Sequence, residues 1–239
     1  MNEEIKAIWV YLAASPLLAL TVTLMAYQFG LWLYSRSGHN PLVNPVLIAV
    51  GIIVGLLAIT ETSYATYFEG AQFVHFLLGP ATVALAIPLY QRLQQVRHSM
   101  PAITVALFFG SATAALSAVG IGWLLGASRE TLLSLAPKSA TTPVAMGIAE
   151  QLGGLPSLTA AAVIITGIIG AMVGSSLLKL LKVDDDKAVG LALGVASHGI
   201  GTARALELST MAGAFSGLAM GLNAIATAVL VPLLIAILF

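Results

Sequence analysis

Gly194-Val-Ala-Ser-His-Gly-Ile-Gly-Thr-Ala-Arg204 and Ala136-Pro-Lys-Ser-Ala-Thr-Thr-Pro143 decide the reading of this chain, because each sets ionisable side chains in a helix-breaking run flanked by apolar sequence. An ionisable group at bilayer depth costs at least about 2.5 kcal/mol even on lenient insertion scales, and broken backbone there leaves polar groups that lipid cannot satisfy. Such runs are stable only where protein or a water-filled cavity surrounds them. The expectation is a substrate or ion site inside a membrane protein.

Composition leads to the same class. Hydrophobic residues make up 59% of the 239 and charged residues only 8%, with a mean hydropathy of +0.98; a soluble domain carries roughly 25% charged residues. Residues 1–239 read as a single integral membrane domain whose solvent is the lipid bilayer, with room for about six to eight spans. The net charge of zero excludes nucleic acid as a partner, since no basic stripe exists to displace counterions from phosphates. Without cysteine, disulfides, thiol catalysis and thiolate metal sites are excluded. The start, Asn2-Glu-Glu-Ile-Lys6, is net negative, and the apolar run behind it, about 26 residues, exceeds the 7 to 15 of a signal sequence, so it reads as a retained helix. Trp9 and Tyr11 open that helix and Trp32 and Tyr34 close it as aromatic belts, with a kink expected at Pro16.

Hydropathy places further spans at Pro45 to Ile59, Phe73 to Tyr90, Pro101 to Leu125, Leu158 to Leu181 and Met211 to Phe239. Thr131 to Gly153 and Ala188 to Leu208 are each interrupted at the centre by Pro or Gly with Ser and Thr. The fold expected is all-α, a polytopic membrane helix bundle containing two broken or re-entrant helical hairpins. A re-entrant hairpin and a single crossing with an unwound centre both fit the interruptions. Loop charge favours hairpins: only a re-entrant 131–153 segment brings Lys179, Lys182 and Lys187 to the same side as Arg92, Arg97 and His98, and the positive-inside rule puts that side in the cytoplasm. Ser139 to Glu150 weakly resembles Ala196 to Glu207, which suggests an inverted repeat. The series Gly167, Gly170, Gly174 and Gly213, Gly217, Gly221 read as small-residue ridges for close helix packing.

Lys138, behind Pro137, can present an ammonium beside the free N–H groups of a helix N-terminus, a combination that suits a carboxylate. The bland alternative is a lysine snorkelling to the interface. Ser139, Thr141 and Thr142 could donate to the same anion or back-bond to a broken helix. His198, beside Ser197 in a glycine-rich run that also holds Thr202, is placed where a proton-titrating side chain could meet substrate; packing is its alternative. Arg204 either clamps a carboxylate bidentately or pairs with Glu150 or Glu207. Those two glutamates read as hairpin-end charges, with a coupling role, shared with His198, as the minority reading. His39, His75 and His98 lack metal spacing, and no nucleophile, base and orienter set occurs. No metal, cofactor or enzymatic activity is expected.

Leu78-Gly-Pro-Ala-Thr-Val-Ala-Leu-Ala-Ile-Pro-Leu-Tyr90, Pro137-Lys-Ser-Ala-Thr-Thr-Pro-Val-Ala145 and Ser197-His-Gly-Ile-Gly-Thr-Ala203 resemble the three signature segments of the LrgB/CidB family over nearly the whole chain. That resemblance implies a multi-pass protein of the bacterial cytoplasmic (inner) membrane, paired with a small LrgA/CidA-like partner. Members are described both as holin-like modulators of autolysis and murein hydrolase export and as carriers of small carboxylates; a plant relative is a plastid glycolate/glycerate translocator. On the residues, the expected function is transport of small 2-hydroxy or 2-oxo monocarboxylates, with holin-like modulation as the alternative. Homo-oligomers are expected from the apolar, small-residue-rich surfaces.

Overall fold

The computed structural model describes residues 16–84, 86–91 and 93–239, and all the regular structure among them is helical. The described residues fall into two compact units, one ending at Ala84 and one beginning beyond it.

In the first unit, α1 (Pro16–Arg36) packs against both α2 (Pro45–Ile59) and α3 (Tyr64–Ala84). α2 starts where Asn44 accepts hydrogen bonds from the amides of Val46 and Leu47, while Pro45, with no N–H to lose, fills the first helical position. Thr23 meets the Tyr67 hydroxyl at 2.6 Å, joining α1 to α3. Arg36 stacks over Trp32, 5.3 Å from its ring centroid, as an interfacial cation and aromatic pair. The expected belt residues Trp9 and Tyr11 lie outside the described residues. The span expected over Phe73 to Tyr90 begins earlier, at Tyr64, and its Leu85 lies outside the described residues.

The second unit contains α4 (Ala86–Gln91), α5 (Leu93–Leu124), α6 (Arg129–Leu135), α7 (Thr142–Leu152), α8 (Pro156–Leu180), α9 (Asp186–Leu208) and α10 (Thr210–Leu238). Helices α1, α5, α8 and α10 are long and apolar enough to cross a membrane. α5 runs through Pro101 and is already helical at Leu93, so Arg97 and His98 lie in helix rather than in a loop; Arg92 lies outside the described residues.

The two interrupted segments are re-entrant hairpins. A straight helix would hold Asp186 and Ser209 about 34 Å apart, yet the Ser209 hydroxyl donates to the Asp186 carboxylate at 2.7 Å. α9 therefore folds back on itself, and it does so at His198, whose φ of 42° and ψ of −130° interrupt the helix; Leu193 and Ala205, on either side of the turn, pack in one cluster. The α6–α7 segment closes the same way. Ser134 accepts a hydrogen bond from the Leu155 amide at 2.7 Å, and its carbonyl accepts from the Thr159 hydroxyl at 2.9 Å, where a single crossing would separate the two ends by about 30 Å.

Chain direction fixes the mouths. The α6–α7 hairpin opens at the end of the unit shared by the C-terminus of α5 and the N-terminus of α8; the α9 hairpin opens at the opposite end. Arg129 at the start of α6 lies over the ring of Phe239 at the chain end, 5.5 Å away, as this arrangement requires. Arg97, His98, Lys179, Lys182 and Lys187 consequently share one end. An inverted repeat is not confirmed by this arrangement.

α5 and α10 run parallel and cradle both hairpins. Val96, Ile103 and Leu107 of α5 and Phe215 and Ala219 of α10 pack on Val195 of the α9 hairpin. Further along the same helices, Ala115, Val119, Val231 and Ile235 pack on Leu133, Ala136 and Ile148 of the α6–α7 hairpin. The glycines make the contact close. A Cβ on Gly190 or Gly194 would strike the backbone of Ala212 or Ser216, and one on Gly174 would lie 2.8 Å from Leu193. The outer faces carry large exposed apolar side chains, among them Phe109, Ile165, Ile169, Val229 and Leu233, as lipid contact requires.

Candidate functional site

The tips of the two hairpins meet near the middle of the long helices. α7 is about 16 Å long and the first leg of α9 about 18 Å, while α8 spans about 37 Å, so two hairpins entering from opposite ends reach each other's depth.

At the first tip, α6 ends at Leu135 and α7 begins at Thr142, with Ala136 to Thr141 between them. Pro143 within the first turn fixes the start of α7. Thr141 holds the N-cap position, but its hydroxyl makes no capping bond. The positive end of the α7 dipole therefore points at the tip without a side-chain cap. Lys138 is half-buried there, with Thr141 and Thr142 also half-buried and Ser139 buried. Among the described residues no carboxylate lies within salt-bridge distance of Lys138.

At the second tip the turn residue is His198, not one of the neighbouring glycines, although a positive φ costs an ordinary residue about 1–3 kcal/mol. Two contacts hold it. Its Nε2 lies 2.9 Å from the Val163 carbonyl of α8; a carbonyl only accepts, so Nε2 carries the proton and Nδ1 is the acceptor of the neutral ring. The ring fills the groove at Gly167, where a Cβ would come within 2.8 Å of Nε2. Ser197 is buried against Gly170, and its hydroxyl has no hydrogen-bond partner. Thr202 back-bonds to the His198 carbonyl and meets the Ser216 hydroxyl of α10 at 3.0 Å.

Sequence reasoning missed the residue that joins the tips. Asn223 of α10 donates from Nδ2 to the Ser139 carbonyl at 3.0 Å and to the Val195 carbonyl at 3.2 Å, and its Oδ1 accepts from the Ser111 hydroxyl of α5 at 2.5 Å. The available signal was a lone asparagine inside an otherwise apolar span, a costly placement that asks for a buried partner.

Of the expected site residues, Lys138, Ser139, Thr141, Thr142, Ser197 and His198 lie at the tips, and Thr202 lies one turn beyond. Arg204 is six residues past the turn, about 9 Å along its helix, and pairs with Glu207 at 2.7 Å. The choice left open for its partner thus falls to Glu207. Glu150 and Glu207 are exposed near the mouths of their hairpins.

Such an arrangement can hold a small anion between an ammonium and the uncapped N-terminus of α7, the recurring device for carboxylates where helices break within a membrane. The fold and the meeting tips define a multi-pass membrane protein built around two opposed re-entrant hairpins. The LrgB-like family matches residues 23–237, and the chain belongs to that family. It is 34% identical over 219 residues to the Uncharacterized protein YwbG of Bacillus subtilis, covering 92% of this chain and 97% of that protein. It is 33% identical over 235 residues to the Holin-like protein CidB of Staphylococcus epidermidis, covering 98% of each. Against the Holin-like protein CidB of Staphylococcus aureus, the identity is 33% over 243 residues, again covering 98% of each. No solved structure matches the chain.

Proposed function

We propose that this chain is a holin-like membrane protein that modulates autolysis and murein hydrolase export from the bacterial cytoplasmic membrane. The observation that carries this reading is its near full-length similarity to proteins named Holin-like protein CidB. The hairpin core supplies a physical means: a re-entrant pair that shifts changes what crosses the bilayer, without enzymatic chemistry. A small LrgA/CidA-like protein, or a second copy of this chain, would dock on the apolar outer faces. The test compares autolysis rate and extracellular murein hydrolase activity in cells lacking or overproducing the chain, partner present. Unchanged values in both would overturn it.

A second reading is favoured by one specific observation, the half-buried Lys138 beside an uncapped helix N-terminus at a hairpin tip. On this reading the permeant is a small monocarboxylate, of the 2-hydroxy or 2-oxo acid type. Its carboxylate would lie at Lys138, Thr141 and Thr142, and the free Nδ1 of His198 would carry a coupling proton. Counterflow of labelled glycolate, glycerate, pyruvate and lactate in proteoliposomes, with and without the partner, tests it; absence of counterflow for all four under both conditions would exclude it.

A further inference from the structure

We propose that Asn223 is a positioning residue that clasps the two hairpin tips together in mid-membrane, so that solute can pass between them only when it releases at least one tip. The clasp rests on the reading of the tips as a permeation path; the hydrogen bonds that compose it do not.

Both acceptors are carbonyls that the breaks themselves orphan. In a helix the Ser139 carbonyl would accept from the amide four residues on, but that residue is Pro143, which has no N–H. The Val195 carbonyl would accept from Gly199, but the turn at His198 intervenes. An unsatisfied carbonyl away from water is costly, and one primary amide offers two donors. Asn223 gives one to each. Its orientation follows from chemistry, because two carbonyls can only accept and Nδ2 must face them. Ser111 then completes the group by donating to Oδ1. Asn223 is 1% exposed, so water does not compete for these bonds.

The location agrees. Along α5, Ser111 lies between the stretch that packs on the α9 hairpin and the stretch that packs on the α6–α7 hairpin, and Asn223 occupies the same position along α10. One side chain on a membrane-spanning helix therefore holds two elements that enter from opposite faces. The Thr202–Ser216 bond and the glycine contacts fix the α9 hairpin to α10; the Asn223 amide is what bonds to both hairpins at once.

The chain has no cysteine, so a single introduced thiol reports alone. Ser139→Cys and Ser197→Cys are near-isosteric reporters at the two buried tips, and Ser175→Cys is a buried reporter on α8 away from them. Reaction with a small water-soluble thiosulfonate is measured in membranes for each, first in the parent and then combined with Asn223→Leu, which keeps shape and removes both donors. The expected result is a rise of at least about tenfold at both tip reporters and none at position 175. Thr227→Val, which changes a buried polar residue one turn further along α10, should leave all three rates unchanged. Ser111→Ala leaves Asn223 in place but strips its buried Oδ1 of its donor, and should raise the tip rates several-fold; it carries the test if Asn223→Leu does not reach the membrane. Tip rates that stay at the parent level in Ser111→Ala and Asn223→Leu would overturn the clasp, as would an equal rise at position 175. Because no substrate enters the assay, its failure would leave the assignments of function untouched, while absence of counterflow would leave the hydrogen-bonded clasp standing and remove only the solute it is proposed to gate.

Discussion

Ser209 donates to the Asp186 carboxylate at 2.7 Å across 23 residues of sequence, and the same hydroxyl accepts from the Ala212 amide at 3.0 Å. One side chain closes the mouth of the α9 hairpin and caps α10. Ser209→Ala should therefore lower the thermal midpoint of the detergent-solubilised protein, by an amount equivalent to about 1 kcal/mol for the lost cap, and Ser209→Thr should recover most of it. An unchanged midpoint for Ser209→Ala would show that the mouth is held by packing alone.

The hairpins make a topological prediction, since they put residues 151 and 185 at opposite ends of α8. With the basic cluster in the cytoplasm, Gln151→Cys should react with an impermeant thiol reagent added outside intact cells, and Asp185→Cys should react only after permeabilisation. Gly154 is unsuitable, as a Cβ there would come within 2.9 Å of the Ser134 amide. Outside labelling of Asp185→Cys would reverse the orientation.

Close approach of α9 to α10 depends on glycine. Gly194→Ala would drive a methyl group into the Ser216 backbone, so it should cost about 1–3 kcal/mol of stability. Gly221→Ala, on the same pair of helices, meets nothing within 4 Å and should be neutral or stabilising by up to about 1 kcal/mol through helix propensity. Thermal denaturation of the two variants side by side decides it; equal losses would argue that backbone contact is not what joins these helices.

His198 has a positive φ that glycine accepts and a β-branched residue resists. His198→Val should reduce membrane abundance more than His198→Gly, even though both lose the bond to Val163. If Gly is the worse replacement, the imidazole contact outweighs the strain.

For the carboxylate reading, Lys138→Met removes a charge-assisted bond worth about 1.5–3 kcal/mol, which corresponds to a roughly 10- to 150-fold loss of affinity. Lys138→Arg should restore only part, because a planar fork does not replace a compact point charge. Normal uptake at low substrate concentration by Lys138→Met, at parental abundance, would return this lysine to the role of an interfacial anchor.

How much of this was legible differs from residue to residue. The membrane class and the two break points were determined by sequence alone: Lys138 among Pro and Thr, and His198 among glycines, carry local costs in lipid that hold whatever the chain packs against. Their consequence, polar side chains gathered where helices break, followed from the sequence. Loop charge leaned toward hairpins over crossings, but a broken helix satisfies either, and the pairing of Asp186 with Ser209 and of Ser134 with Leu155 is what decides it. Arg204 had two glutamates open to it in sequence and took the one a single turn away. Asn223 was visible as a polar residue in an apolar span, but its partners are backbone carbonyls 84 and 28 residues distant. A carbonyl exists at every position and leaves no mark in sequence, so which two of them one amide would join was decided by tertiary structure.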